Sequence, residues 1–202
     1  MMQNIEPNIF ERVGFLAELI TSAELKSPVL GDGQHRFQSA GVELAVAELL
    51  GDRVVSQING GWCDFTLNGH PINLKVTTAQ GMDNISSVAG LLYAITGLRA
   101  GGQATWPNFL NHLHTNIDEE GDSDYHFLVL NKVTGKCFAT SMMRLNSLGP
   151  NGNNLPFQCH WGKHDPSTVL SRPEQIGYLI RTLGRSLALR AEPAELFNKL
   201  FS

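Results

Sequence analysis

Cysteine is scarce in this 202-residue chain, and its three copies, Cys63, Cys137 and Cys159, are irregularly spaced. Three such residues build no disulfide framework, so reduced thiols are expected. Charge is thin as well. Charged residues make up 17%, and 15 Lys and Arg stand against 19 Asp and Glu, a formal net charge of -4. Bulk electrostatic attachment to nucleic acid is therefore disfavoured, although a local basic cleft depends on arrangement and not on the sum. Long apolar runs are missing: none approaches the roughly 20 residues that span a bilayer. The opening MMQNIEPNIFERVGF has no basic segment ahead of an apolar one, as a secretory signal would. A cytoplasmic chain with no membrane partner is expected. No Walker loop, Rossmann glycine pattern or G-x-S-x-G elbow occurs, which removes the usual phosphate-loop, dinucleotide and serine-hydrolase readings.

What is present suits a single domain over residues 1–202. Hydrophobic residues reach 42%, enough to enclose a core. The spacing of Phe10, Val13, Leu16 and Ile20 predicts an amphipathic helix over 9–25. A second helix is expected over 35–53, apolar in its C-terminal half, buried on most sides and capped near Gly51. A strand at 53–58 follows, then two strands joined at Asn68-Gly69, a strong hairpin signal. Helices are expected over 84–100 and 105–116, the latter opened by Thr105 and Pro107. A hairpin over 124–143 turns near Thr134-Gly135, and a short strand covers 154–161. A long helix over 173–191 and a short one over 193–201 close the chain. The fold class is α/β, with α+β mixture: a central mixed β-sheet flanked by helices.

Registering the hairpin on Asn68-Gly69 opposes Leu67 to His70, Phe65 to Ile72, and Asp64 to Asn73. Phe65, Leu67, Ile72, Leu74 and Val76 then share an apolar face, and Asp64, Asn73 and Lys75 share the other. An acid, an amide and an amine are thereby brought within a few ångströms. A carboxylate and a carbonyl-type oxygen can hold a hard cation such as Mg²⁺. A neighbouring amine can orient a water or offset charge on a phosphate. The plainer alternative is a half-exposed hairpin whose polar face is only solvated. Glu43, mid-helix among small and apolar neighbours, is costly there unless paired or bound to a metal.

The runs GVELAVAELL and RVVSQINGGWCDFTLNGHPINLKV, within residues 35 to 80, resemble the PD-(D/E)XK nuclease superfamily. There a helix glutamate precedes a strand aspartate, a hairpin and an acidic-X-Lys strand. The resemblance implies a restriction-endonuclease-like fold with the catalytic hairpin at about 54–78. It makes Asp64 the metal-bridging acid, Lys75 the catalytic amine, Asn73 the occupant of the usual acidic position, and Glu43 the auxiliary carboxylate. Asp64, Asn73 and Glu43 would ligate Mg²⁺, with Mn²⁺ as a substitute. Cys63 stands where the motif is named for proline. Asn73 brings no charge, so the missing carboxylate falls to Glu43.

The compact build is similar to a type II restriction endonuclease, which implies a homodimer cutting double-stranded DNA at a fixed sequence. Two polar segments suit base reading. The first, about 79–88, carries Gln80, Asn84 and Ser86. The second, about 150–165, carries Asn151, Asn153, Asn154, Gln158, His160 and Lys163. Polar surface loops are the alternative for both. Two other functions stay open: a nuclease-like fold that binds DNA without cutting, and a structure-directed repair or junction nuclease. A zinc site from Cys159, His160 and His164 is disfavoured, because no C-x-x-C pair exists and His112 and His114 diverge on one helix. Trp106 and Phe109 are read as core in preference to base-stacking rings.

Overall fold

The computed structural model describes residues 8–25, 35–57, 61–85, 87–99, 105–153 and 155–201, with side chains described outside 35–40 and 192–201. The chain is mixed α/β, and its contacts divide it into two compact units. One comprises Met1–Thr78 and Tyr125–Ser141, the other Ala79–Asp124 and Met142–Ser202.

The first unit is built on a five-stranded sheet in the order β1-β2-β3-β5-β6. Its strands are β1 (Val55–Ser56), β2 (Phe65–Leu67), β3 (His70–Thr77), β5 (His126–Asn131) and β6 (Cys137–Ser141). Neighbours are antiparallel except at β3 and β5, which run parallel in the middle of the sheet. A strand so placed is covered on both faces and reads as a continuous apolar run, and Phe127, Leu128, Val129 and Leu130 are each wholly buried.

Two helices supply the covering layer. Helix α1 (Ile9–Ser22) begins at a capping box in which Asn8 accepts from the Glu11 N–H and Glu11 accepts from the Asn8 N–H. That exchange satisfies two otherwise orphaned donors. Val13, Leu16, Ala17 and Ile20 form its buried stripe. The Thr21 hydroxyl bonds both the Cys137 N–H and the Cys137 carbonyl, which ties the helix to the sheet-edge strand β6 and blunts that edge. Helix α2 (His35–Leu50) adds Val46 and Leu50 to the same core as Phe65, Ile72, Leu74 and Leu128. The expectation that α2 is buried on most sides is corrected. Leu44 is 62% exposed, and Glu43 and Glu48 are exposed too; one stripe meets the sheet and the rest of the described face meets solvent.

The second unit carries a three-stranded sheet in the order β4-β8-β7, formed by β4 (Asp83–Ile85), β7 (Leu148–Gly149) and β8 (Phe157–Cys159). Its helices are α3 (Val88–Thr96), α4 (Trp106–Thr115) and α5 (Arg172–Phe201). The helix expected over 84–100 is shorter than its sequence suggests. Asp83–Ile85 pairs with β8, and Ser87 caps the helix by accepting the Gly90 N–H. The two expected terminal helices are one. Pro193 removes a single N–H, the one that would meet the carbonyl of Leu189, and Leu189 is 42% exposed, so water can satisfy that carbonyl. Phe109 is core, while Trp106 packs edge-on against it and carries the Arg190 guanidinium over its ring at 4.7 Å. Among the described residues no helix is long and apolar enough to cross a membrane.

Candidate active site

The hairpin adopts the expected register, with Leu67 opposite His70 and Phe65 opposite Ile72. Asn68 and Gly69 have φ of 51° and 83°. A two-residue turn with both central φ values positive matches the twist of the strands it joins. Phe65, Ile72 and Leu74 face the α2 side within the core.

The ladder breaks at Asp64, and the break makes the site. The Asp64 N–H donates to the Ile72 carbonyl at 3.0 Å, one residue out of the Phe65↔Ile72 register. An uninterrupted antiparallel ladder in the Phe65↔Ile72 register would next join the Leu74 N–H to the carbonyl of Cys63. Instead that N–H donates to the Asp64 carboxylate, Oδ2, at 2.6 Å, and the Trp62 carbonyl accepts the Tyr125 hydroxyl at 2.8 Å. The Leu74 N–H and the Trp62 carbonyl are both satisfied in this way, as buried backbone requires. Asp64 Oδ2 also accepts from Asn73 Nδ2 at 2.5 Å. Asp64 and Asn73 are therefore in direct contact.

Glu43 and Lys75 complete the group. A cavity of about 300 Å³ is lined by Glu43, Leu44, Ala47, Ser56, Gln57, Asp64, Phe65 and Leu74. Burial in this largely apolar cavity raises the pKa of Glu43, the charge of Asp64 raises it further, and Lys75 opposes both. Asp64 is exposed as a residue, yet burial of its carboxyl raises its pKa against the opposing Leu74 N–H and Lys75 charge. Lys75 therefore lies within electrostatic reach of both acids. Among the described residues no three His, Cys, Asp or Glu side chains group to hold a metal ion. Any cation here would rest on two carboxylates and an amide oxygen.

Those raised pKa values carry a stability consequence. A carboxyl whose folded pKa lies above its unfolded value holds more protons when folded, so its contribution to stability falls as pH rises through that window. Asp64→Asn removes the penalty and keeps an oxygen for the Leu74 N–H. In metal-free buffer it should raise the thermal unfolding midpoint at pH 7, and the gain should vanish as pH falls towards 4. A midpoint lowered at pH 7 would show that the charge is not penalised.

Sequence reasoning missed Ser56 and Gln57. The β1–β2 register brings them in: extending the Val55↔Thr66 and Ser56↔Phe65 pairing by one step sets Gln57 beside Asp64, and the Gln57 N–H donates to the Asp64 carbonyl at 2.9 Å.

The two polar segments meet in the second unit. Asn84 on β4 and Gln158 on β8 are directly paired, and both side chains bond within one amide cluster that includes Asn151. Asn151 is only 2% exposed, so it braces the cluster and offers no surface of its own. Gln80, Asn153 and Lys163 are exposed, and His160 is half-buried. Ser86 and Asn154 lie outside the described residues. Cys159 contacts the Ser147 hydroxyl, and His164 contacts Asn146. Burial raises the Cys137 and Cys159 thiols to about 12, so both are protonated at neutral pH. No family model, no curated protein and no solved structure matches this chain.

Proposed function

We propose that the protein is a Mg²⁺-dependent endonuclease that hydrolyses phosphodiester bonds in double-stranded DNA at a fixed sequence, acting as a homodimer in the manner of a type II restriction enzyme. The observation that carries this reading is the Asp64 carboxylate, which takes the Leu74 N–H from the strand ladder and is gathered with Asn73, Glu43 and Lys75 from two adjoining elements. The order of helix acid, strand acid, hairpin and X-Lys strand is that of the PD-(D/E)XK resemblance.

The donor set fits a hard divalent cation. Oxygen ligands suit Mg²⁺, which keeps several waters and needs few protein contacts. Glu43 and Asp64 each resist ionisation where they stand, Glu43 partly because of Asp64, and a cation between them would relieve that repulsion. Asn73 presents its nitrogen to Asp64, so its amide must turn to offer oxygen. Bound there, Mg²⁺ would supply an acidified water and charge stabilisation at the phosphate. Lys75 orients the attacking water and offsets the charge that builds on the phosphate oxygens. The water oxygen bonds to phosphorus as the P–O3′ bond breaks, leaving 5′-phosphate and 3′-hydroxyl ends. Leu44, Ala47 and Phe65 form the apolar part of the cavity wall.

A second reading has its own support. The Asn73–Asp64 hydrogen bond occupies the oxygen a cation would need, which suits a nuclease fold that binds DNA without cutting. Incubating plasmid and phage DNA with the purified protein separates the two. Discrete fragments with Mg²⁺, lost in EDTA and regained with Mn²⁺, are the expected result. Intact DNA across divalent metals and a wide sample of sequences would leave only binding.

A further inference from the structure

The amide cluster on the three-stranded sheet has orientations that its own hydrogen bonds determine. The Asn153 main-chain N–H donates to the Asn151 side chain at 2.8 Å. A main-chain N–H can only donate, so the accepting atom is oxygen, and the other end of the Asn151 amide is nitrogen. That nitrogen donates to the Asn84 side chain at 2.9 Å, which makes the receiving atom of Asn84 its oxygen. Gln158 meets the same oxygen at 3.2 Å and must present nitrogen to it. One backbone group thereby sets three amides. What remains is the Asn84 Nδ2 donor and the Gln158 Oε1 acceptor, neither with a partner among the described residues.

The pair is firmly based. Asn84 and Gln158 are cross-strand partners, so their side chains share a face. The alternate residues Ile85, Phe157 and Cys159 are wholly buried, which leaves the amide face outward. Asn151 is itself anchored, its N–H donating to the buried Ser186 hydroxyl at 2.9 Å. On the other side of Gln158 stands Gly149, and the Met82 methyl fills the place a side chain there would take.

We propose that Asn84 and Gln158 together form a preset donor–acceptor pair that reads the major-groove edge of an adenine. This rests on the nuclease reading above and specifies how its DNA site is chosen. Adenine offers an acceptor at N7 and a donor at N6, the complement of Asn84 Nδ2 and Gln158 Oε1. Guanine offers two acceptors, so its O6 would face the Gln158 oxygen and be refused. A peptide is the poorer fit. Extended peptides add to strand edges through the main chain, and Gln158 lies on the central strand of its sheet.

The test uses the full chain, Mg²⁺ and a duplex library randomised over a central window, with base frequencies read by sequencing the cut ends. The wild type should select adenine over guanine at one or more fixed positions. Asn84→Asp turns the free donor into an acceptor, and Gln158→Met removes the acceptor at nearly constant shape. Each should lower that preference by about 10- to 100-fold while the remaining selected positions persist. Unchanged preference in both variants would overturn the proposal, as would a wild-type site without an A·T pair. Cutting by the wild type without sequence preference sinks base reading but keeps the nuclease. No cutting at all overturns the nuclease reading and this inference with it.

Discussion

Replacing Lys75 by alanine should lower the single-turnover rate of Mg²⁺-dependent DNA cleavage by about 10²–10³-fold, the usual loss when one preorganised charge-stabilising group is removed from a reacting centre. The ammonium has two effects to lose. It stands beside the phosphate that the site would hold, and it already lowers the pKa of both Glu43 and Asp64. Without it the two carboxyls hold their protons to higher pH. The acidic limb of the pH–rate profile should therefore move upward in Lys75→Ala, and saturating Mg²⁺ should shift it back only in part. Lys75→Arg keeps the charge but not the compact donor; it should restore the position of the limb and less of the rate. A Lys75→Ala rate within threefold of wild type, with an unmoved profile, would remove Lys75 from the chemistry.

The hairpin that carries this prediction was legible because its determinants are local. Asn68-Gly69 sets the turn, the turn sets the register, and the register sets which side chains share a face. Glu43 was legible as an odd residue, a carboxylate among apolar neighbours, although the helix bearing it proved more open than its composition suggests. The rupture of the ladder at Asp64 was not legible. It comes with a tertiary bond from the Tyr125 hydroxyl to the Trp62 carbonyl, 63 positions earlier, and no local pattern announces so distant a partner.

The second unit was read less well for the same reason. Its strands span two or three residues each, too short for alternation to show, and β4 meets β8 only across a long stretch of intervening chain. The polar segments were recognised for their amide content, but their meeting on neighbouring strands required the fold. Asn151 shows the limit most clearly. Its chemistry suited base contact, while its burial gives it the task of fixing Asn84.

Arg172 was unremarked in the sequence, and Arg172→Ala should be among the most destabilising substitutions in the chain. Helix α3 ends at Gly97, whose φ is 71° and whose N–H closes on the Tyr93 carbonyl at 2.8 Å. The carbonyls of Ala94 and Ile95 then need outside donors. The Asp118 N–H meets Ile95. The Arg172 guanidinium meets Ala94 at 2.8 Å, and also donates to the Ser123 carbonyl, the Asp118 carbonyl and the Ser123 hydroxyl. A positive group at the negative end of α3 is favourable. The same charge at the start of α5 opposes that helix's own dipole, so the tertiary bonds are what Arg172 contributes. Hydrogen bonds from a charged donor are each worth about 1.5–3 kcal/mol, and the set is not additive. A loss of about 3 kcal/mol is expected on urea unfolding. Arg172→Lys, with one ammonium in place of a planar fork, should recover less than half of it. Hydrogen exchange locates the effect: amides of α3's last turn and of residues 117–124 should lose protection first, while β3 and β5 keep theirs. A loss of unfolding free energy below about 0.5 kcal/mol would mean that water replaces the guanidinium at those carbonyls without cost.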